Sequence, residues 1–600
     1  MINEPLTQGI LLKKYFGKLL LSITLIAMLI LVQTGMAFAS GSNPEELNLN
    51  QQRVVTGLIT ESDGNPLPGV TIMEKGTNNG SLSDANGQYR IVVTTANPVL
   101  VFSFVGYTTQ EVTVGSQAVV NLALAASDIG LEEIVVIGYG TARKSDVTGS
   151  VASIGGDAIR DVPSSNISQA LQGRVSGVDM SQVSTKPGAT MQIRVRGTRS
   201  LNASNDPLVV IDGIPFAGSI GDISPSAIKS IDILKDASST AIYGSRGANG
   251  VILITTNKGY AGQQARISLD SYVGMKQVFA KYPMMNGPEF VALRAAANQY
   301  TNTLDESNDM DTDWQDLLYK TGMVNSHDLG ITGGTQTGNY TFGVGYYKDE
   351  AVVPLQDYTR YSIRSSLDQG IGKYLRFGIS TNTNYSVTNG NNLGAVGMAL
   401  DHSPIANIYN EDGSLKQRFM QATSGAQWVS TREVLEGLGD KYIDQNRAFG
   451  TYNALYGEVK IPGIDGLKYR INLGLNYRQS NNGSYTGVGV FSGTPSNNST
   501  ASISNSHTIN WAAENLLTYD KTFAGKHQLN AVAMFSAEQS MYNSSNVSTK
   551  DIPIDAFQFY NLGQATADKT VNPSNQRYEL TGLLSYMGRV MYSYDSRYMV

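Results

Sequence analysis

The feature that most constrains the fold is a series of long segments, beginning near residue 265, in which apolar and polar residues alternate. In residues 467–478 one face carries Leu, Tyr, Ile, Leu, Leu and Tyr, and the other carries Lys, Arg, Asn, Gly, Asn and Arg. Residues 375–384 and 340–346 repeat the pattern. A period of two residues is typical of a β-strand whose two faces meet different environments.

Alternation alone fits a half-buried sheet in a soluble β-protein. A membrane barrel is favoured here because the strands reach the roughly 9–11 residues needed to span, tyrosines cap their apolar faces, and short and long connections alternate. Turns 463–466 and 523–526 are short, whereas 389–450 and 483–505 are long insertions. The predicted strands are 266–278, 325–335, 338–350, 358–370, 372–388, 451–463, 466–482, 506–521, 525–540 and 577–596. An eleventh strand would begin where the chain stops, so we expect an incomplete barrel.

The amino-acid composition narrows the range of possible functions. The 44 basic and 50 acidic residues give a net charge of −6, which does not suggest nucleic acid as a partner. Cysteine is absent, which removes disulfides, thiolate catalysis and cysteine-ligated metals. The four histidines show no metal-ligand spacing, and no hydrolase or zinc-protease motif occurs. We therefore expect no catalytic residue, no cofactor and no enzymatic activity.

An acidic cluster occupies residues 305–316, with carboxylates at Asp305, Glu306, Asp309, Asp311, Asp313 and Asp316. It partly mimics a calcium loop, but Trp314 stands where an EF-hand requires glycine. The sequence favours a solvated external loop over a calcium site.

The first 39 residues differ from the rest. Three lysines precede an apolar run at 19–32, and Ala37-Phe38-Ala39 forms a small-x-small site. This pattern predicts a secretory signal peptide, residues 1–39. A transmembrane anchor is the alternative, but the run is short for a span of about 20 residues.

Residues 50–125 alternate short β-rich segments with turn signals such as 63–66 and 84–87, a spacing typical of a small β-sandwich. Residues 142–260 contain a compact α/β unit. Its predicted elements are a helix beginning within 165–171, strands at 192–197, 207–215, 231–236 and 251–256, a helix beginning at 224–228, and a glycine-rich turn at 241–250.

Between these units lies LEEIVVIGYG, residues 131–140. As a dinucleotide-binding turn it lacks the third glycine, because Arg143 occupies that place. As an ordinary core strand it would form an edge of the preceding sandwich. A third interpretation is an unpaired strand that binds a partner protein. It is favoured by the position of the segment between two domains and by the two glycines at its C-terminal end.

These motifs together resemble a known family. Residues 57–70 and 80–89 resemble the carboxypeptidase-regulatory-like sandwich, a non-catalytic domain. LQGRVSGV (171–178), IRVRGTRSLNASNDPLVVIDGIP (193–215), IKSIDILKDASSTAIYGSRGANGVILITTNKG (228–259) and DTDWQDLLYKTG (311–322) resemble the SusC/RagA group of TonB-dependent outer-membrane transporters. The resemblance implies a mainly β protein: a β-sandwich at 50–125, a linker and TonB box at 126–141, a small α/β plug at 142–260, and the barrel from 265 to 600.

The resemblance also implies site residues and partners. The TonB box comprises Glu133, Ile134, Val135, Val136, Ile137, Gly138, Tyr139 and Gly140. The plug residues expected to be structural and to face the lumen are Arg194, Arg196, Gly197, Asp212, Gly213, Gly244, Arg246, Gly247 and Gly250. We expect the three arginines to make charge-assisted hydrogen bonds to the barrel wall.

The implied function is import of a glycan or peptide across the outer membrane, where the barrel would contact lipid and the N-terminal domain would lie in the periplasm. TonB with the ExbB/ExbD complex would supply energy, and a SusD-like surface lipoprotein would act as a lid. Alternatives are a surface adhesin or structural β-protein, a signalling receptor, and a secreted hydrolase with a sandwich domain. An adhesin would leave the TonB box and the plug unexplained. A signalling receptor is disfavoured because the N-terminal sandwich does not resemble a signalling module. A hydrolase is disfavoured because the sequence has no set of catalytic residues.

Overall fold

A computed structural model describes residues 53–599, except 62, 78, 96, 105–106, 126–133, 138–139, 144–150, 161–166, 183, 185, 217, 219, 237–239, 299–300, 391–393, 491–497 and 596. The predicted signal peptide lies outside these residues. The chain divides into two compact units, Met1–Glu132 and Glu133–Val600.

The first unit is the expected β-sandwich. Alternating apolar residues pack between two sheets, with Val55, Ile59, Ile72, Leu100 and Phe102 fully buried. The sheet orders are β4-β1-β7 and β3-β2-β5-β6. The strands are β1 (Arg53–Glu61), β2 (Thr71–Glu74), β3 (Gly80–Leu82), β4 (Gln88–Val93), β5 (Val99–Ser103), β6 (Gln110–Thr113) and β7 (Leu122–Leu124).

The second unit opens with a hairpin, β8 (Ile134–Ile137) and β9 (Gly140–Arg143), and continues into a small α/β plug. The plug elements are β10 (Val151–Gly155), α1 (Gly156–Arg160), α2 (Ile167–Leu171), β11 (Val178–Gln182), β12 (Met191–Val195), β13 (Leu208–Ile211), β14 (Ile214–Pro215), β15 (Ile228–Leu234) and β16 (Val251–Thr256), with 3-10 helices Ile220–Asp222, Pro225–Ala227 and Ala241–Gly247.

The plug core is built on a five-stranded sheet of order β10-β15-β16-β13-β14, in which Ile231, Ile233, Ile252 and Ile254 are buried. The helix expected to begin at 224–228 is a single 3-10 turn that ends at Ala227. The reason is that Ile228 already belongs to β15, whose apolar side chains are buried only in extended conformation.

The alternating segments form one antiparallel sheet of order β17-β18-β19-β20-β21-β24-β25-β26-β27-β29-β30, with β28 beside β27. Its strands are β17 (Arg266–Lys276), β18 (Gly322–Gly334), β19 (Gly338–Glu350), β20 (Asp357–Ile371), β21 (Leu375–Asn389), β24 (Tyr442–Lys460), β25 (Leu467–Thr486), β26 (Thr500–Phe523), β27 (His527–Lys550), β28 (Ala567–Val571), β29 (Arg577–Tyr594) and β30 (Tyr598–Met599). A separate hairpin pairs β22 (Arg418–Gln421) with β23 (Gly425–Trp428).

The ten predicted long strands are all present. Several extend further than predicted: β26 and β27 each have 24 residues, because the polar residues beyond their apolar stretches continue the same ladder. Alternation of apolar residues marks only the part of a strand whose faces differ, so it underestimates strands that run on into solvent.

The two faces of the sheet are unlike. One carries a row of rings that face each other across neighbouring strands, from His327 through Tyr346, Tyr361 and Tyr385 to Phe449. Exposed apolar side chains on the same face include Ile363, Leu367, Phe377, Leu455 and Leu473. The opposite, polar face contacts the plug. This is the arrangement of a transmembrane β-barrel wall, with an aromatic girdle on one face and a plug against the other.

The long connections fold into a module with its own core, which includes Trp314, Phe419 and Trp428. Its helices are α3 (Gly287–Ala297), α4 (Trp314–Leu318), α5 (Ala395–Asp401) and α6 (Arg432–Glu436), and further 3-10 turns in this half are Gly439–Lys441, Asp555–Phe557, Leu562–Gln564 and Pro573–Asn575. Among the helices of the described residues, none is long and apolar enough to cross a membrane.

Candidate functional site

The plug reaches the barrel wall with a tight hairpin, β13–β14, continued by Phe216. Asp212 (φ 49°) and Gly213 (φ 89°) form its two-residue turn, the conformation that Asp-Gly favours between antiparallel strands. The Asp212 carboxylate accepts hydrogen bonds from Thr256 N at 3.1 Å and Thr256 Oγ1 at 2.7 Å, and it lies 3.3 Å from Lys258 Nζ. Asp212 and Gly213 therefore shape the plug.

Of the three arginines expected to contact the barrel wall, one does so. Arg246 donates to Glu538 on β27. The expectation is wrong for Arg194, which pairs with Asp206 at 2.5 Å, and for Arg196, which pairs with Asp236. Both partners belong to the plug itself. Sequence identifies an arginine's need for an acidic partner, but it does not show which carboxylate the fold brings near.

The predicted glycines lie at crowded or left-handed positions. Gly250 has φ 90°, and a Cβ there would lie 2.9 Å from Val195 Cβ, so no larger residue fits this turn. At Gly247 the obstacle is Thr240 O, 2.6 Å from a built Cβ. Gly197 and Gly244 have φ of 89° and 58°.

A corner of the plug, residues 220–228, is tethered to the barrel wall by Asp222. Its carboxylate accepts from Tyr452 Oη at 2.7 Å, and Arg478 Nε lies 3.9 Å away. The backbone carbonyls of this corner are also engaged: Arg360 Nη1 donates to Gly221 O at 2.6 Å, and Asn384 Nδ2 donates to Asp222 O at 3.3 Å.

A second tether centres on Asp328 of β18, which is buried. Its Oδ1 accepts from Ser224 Oγ at 3.2 Å, Ser226 Oγ at 2.9 Å and Arg364 Nη1 at 3.4 Å. Hydrogen bonds to charged groups are stronger than neutral ones, so this corner is held firmly. None of these tethering residues was predicted. Their signal in the sequence is the polar face of the alternating strands, on which Arg360, Ser362 and Arg364 follow one another along β20.

Cavities separate the hairpin from the wall, and Ile214 lines three of them. The most spacious holds about 290 Å³ and is lined by Pro215 and Phe216 of the plug and by Asn476, Asn510 and Glu538 of the wall, among others. In the described part of the chain, Asn476 Nδ2 donates to Pro215 O at 3.4 Å, and the Phe216 ring packs 4.3 Å from that of Tyr452.

The predicted TonB box coincides in part with the β8–β9 hairpin. Ile134 to Ile137 are extended, as predicted, whereas Glu133, Gly138 and Tyr139 lie outside the described residues. The expectation of an unpaired strand is wrong for one edge, because β8 pairs with Gly140–Arg143 over four facing positions. The hairpin follows from two extended segments separated by two residues, a spacing that permits a tight turn.

The acidic cluster is solvated only in part: Asp309, Asp311, Asp313 and Asp316 are exposed, as expected, whereas Asp305 and Glu306 pack into the module. Glu306 is buried and pairs with buried Arg294 at 3.4 Å. Asp305 accepts from Lys416 Nζ and Met420 N, both at 2.7 Å. Asp313 caps α4 by accepting from Gln315 N and Asp316 N. Within the residues that the structure describes, no three acidic or histidine side chains are grouped to hold a metal ion.

Two buried titratable groups outside the barrel wall have depressed pKa values for opposite reasons. His402 is enclosed by Trp314 and Phe419, at ring distances of 4.4 and 5.0 Å, and burial lowers its pKa to about 4. For Glu74 of the sandwich, burial alone raises the pKa, but hydrogen bonds from Thr95, Asn79 and Thr94 outweigh it and hold the pKa at about 2.

Comparison with known proteins agrees with this architecture. The TonB-dependent Receptor Plug Domain matches residues 143–251, and the CarboxypepD_reg-like domain matches 55–136. The structure of the RagAB peptide importer in the open-open state has a TM-score of 0.68 at 22% identity, covering 77% of this chain and 55% of that one. At that identity the likeness concerns the fold. The plug tethered to a long antiparallel sheet is the TonB-dependent receptor fold with its plug domain.

Comparison with curated proteins shows which TonB-dependent receptors the chain is similar to. TonB-dependent receptor P3 of Formosa agariphila is 33% identical over 564 residues, which cover 92% of this chain and 54% of the relative. TonB-dependent receptor SusC of Bacteroides thetaiotaomicron is 36% identical over 379 residues, covering 60% and 37%. The chain is a homologue of TonB-dependent receptors of the SusC type, and it spans about half the length of P3.

Proposed function

We propose that the protein imports a large nutrient, a glycan or a peptide, across the outer membrane with energy supplied through TonB. The observation that carries the proposal is a plug with its own five-stranded sheet, tethered to the polar face of a membrane-type β-sheet, with a strand directly ahead of it. A plug that fills a barrel blocks free diffusion. Transport therefore requires that an outside force move it.

In this proposal TonB exerts the force on the plug by binding the TonB box. Residues 134–137 are four β-branched residues, which favour extended backbone and suit recognition by strand addition. TonB, driven by ExbB and ExbD, would bind this segment in the periplasm and pull on the plug that follows it. The sandwich would then also be periplasmic, and the long connections with their folded module would face outward.

The partner on the outer side is proposed to be a SusD-like lipoprotein. Two similarities support it: SusC among the curated relatives and RagAB among the solved structures. The latter is described as a peptide importer, which keeps peptides beside glycans as candidate substrates. The cavity wall offers amide and carboxylate groups at Asn476, Asn510 and Glu538, and these could hydrogen-bond either class.

Replacement of residues 133–137 by glycine and serine tests the proposal in the full-length protein. The expected result is loss of capture by the periplasmic domain of TonB and loss of substrate uptake, while the barrel still inserts into the outer membrane. A glycine-serine replacement of the three-residue exposed sandwich turn 63–65 is the control. Uptake that survives the box replacement would rule out the transporter hypothesis and favour an adhesin, which has no use for the box.

A further inference from the structure

One side chain of the plug hairpin, Ile214, lines three cavities between the plug and the barrel wall. The most spacious holds about 290 Å³ against β25, β26, β27 and β29, the second about 80 Å³ against β19 to β25, and the third about 40 Å³. The third reaches Asp368 of β20, close to the short turn between Ile371 and Leu375. The cavities therefore follow the hairpin from the middle of the wall toward the end that carries the short turns.

The hairpin is held to the wall by packing more than by hydrogen bonds. Ile214 lies over Gly474, where a built Cβ would be 2.8 Å from Ile214 Cγ2. Asn476 Nδ2 donates to Pro215 O at 3.4 Å, which is long for a hydrogen bond. The corner at residues 220–228, by contrast, makes hydrogen bonds of 2.6, 2.7 and 2.9 Å to the wall, and each involves a charged side chain. Parting the hairpin from the wall therefore needs less energy than parting the corner.

The wall surface behind the hairpin is polar. Thr341 and Ser366 line the 80 Å³ cavity at facing positions of β19 and β20, and their buried hydroxyls have no hydrogen-bond partner within the part of the chain that the structure describes. Buried hydroxyls in proteins usually bind water where no protein group is near. The 290 Å³ cavity adds the amides of Asn476 and Asn510. These groups suit a hydrated surface that binds a polar solute.

We propose that the β13–β14 hairpin is the moving part of the plug, and that the passage for the transported solute opens between the hairpin and the wall while the corner stays attached. The proposal rests on the proposed function, since it names the route that transport would use. It differs from withdrawal of the whole plug, because Asp222 and Asp328 keep their hydrogen bonds throughout. The solute then contacts the wall groups that the hairpin uncovers, including Asn476 and Asn510.

The absence of cysteine allows the two contacts to be linked separately, because introduced thiols have no competitor. Ile214→Cys with Gly474→Cys links the hairpin to the wall, at positions that already touch. Ser226→Cys with Asp328→Cys links the corner to the wall, where the native side chains are 2.9 Å apart. Each pair is closed with a short bis-thiosulfonate reagent and reopened with a reductant. Each variant is thus its own control for the side chains that it has lost.

Ion current through the full-length receptor in planar lipid bilayers, bathed in KCl, measures the opening without a substrate and without TonB. Urea is raised to a concentration at which the unlinked receptor conducts and the barrel is still folded. We expect the linked hairpin pair to reduce this current at least about tenfold, and the reductant to restore it. The linked corner pair should change the current less than about twofold.

Three outcomes would overturn the route. An equal block by both links would show that the plug leaves the wall as one body. Full current with the hairpin pair linked would place the passage elsewhere. A receptor that conducts at no urea concentration below barrel unfolding would show that no part of the plug parts from the wall alone. The proposed function fails separately: if replacement of residues 133–137 leaves TonB capture and uptake intact, transport driven by TonB is ruled out, whatever the currents show.

Discussion

Two adjoining parts of the plug meet the same barrel wall in different ways. The corner at residues 220–228 presents Asp222, Ser224 and Ser226 to the wall, and each forms side-chain hydrogen bonds there. The hairpin at 208–216 presents apolar side chains, and two cavities that no residue of the corner lines lie along it. The wall is polar in both places. The difference lies in the plug sequence, which matches that polarity at the corner and not at the hairpin.

This contrast shows where the plug is held. A buried charge with several hydrogen bonds is costly to detach, because detachment leaves it without partners in a site of low dielectric. An apolar surface beside a cavity has less contact to lose. We therefore expect the corner to stay with the wall longest and the hairpin to move first, and four predictions test this.

The largest effect is expected from removing both tethers. Asp222→Ala combined with Asp328→Ala leaves Tyr452 and Arg364 without these acceptors, and should lower the free energy of plug opening by about 5 kcal/mol. Hydrogen exchange of Ile228–Leu234, in the full-length protein in nanodiscs, measures it. Asp179→Asn, at an exposed position of β11, is the control. Unchanged protection would show that the corner does not hold the plug.

The next prediction compares two added methyl groups. At Gly218 a Cβ would overlap the Tyr452 ring, which Asp222 fixes, and would lie 2.5 Å from Phe216 Cζ. At Gly474 it would meet Ile214 Cγ2 at 2.8 Å, beside a cavity into which that side chain can turn. Gly218→Ala should cost about 2 kcal/mol and Gly474→Ala less than about 1 kcal/mol, measured by the same exchange. Equal costs would show that the Tyr452 ring, which Asp222 holds, is no more fixed than the Ile214 side chain beside the cavity.

Sequence anticipated some of these features and missed others for physical reasons. Alternation in residues 467–478 predicts both faces of β25, because a two-residue period depends only on the strand's own side chains. The Asp212-Gly213 turn is predictable for the same local reason. The tethers are not: Asp328 and Ser226 are 102 residues apart in the chain, and their contact exists only once plug and wall have both folded.

The same argument explains the errors. Arg196 was expected at the wall but finds Asp236 within the plug, and β8 was expected to be unpaired but finds β9 a few residues away. In each case the composition correctly indicated a group that needs a partner. Which partner it obtains depends on distances that composition does not contain.

The third prediction concerns the hairpin's own turn. Asp212→Ala removes the acceptor for Thr256 N and Thr256 Oγ1 and places alanine at φ 49°. Asparagine keeps an acceptor and tolerates left-handed backbone. We expect a cost of about 1.5 kcal/mol for Asp212→Ala and about half of that for Asp212→Asn, measured as exchange in Leu208–Ile211. Protection of Ile228–Leu234 should stay unchanged. If both segments lose protection together, the hairpin and the corner open as one body.

The smallest effect is expected where a plug ion pair does not reach the wall. Arg196 and Asp236 are 45% and 30% exposed in their side chains, so water screens their attraction. Arg196→Gln should cost less than about 1 kcal/mol at low salt and nothing measurable in about 0.5 M NaCl. Arg246→Gln is the matched comparison, because Arg246 pairs with Glu538 of the wall and both side chains are more buried. Its effect should persist in salt. If salt reduces the effects of the two variants equally, contact with the wall does not strengthen an arginine pair. The plug is then held to the wall by the hydrogen bonds of Asp222 and Asp328 alone.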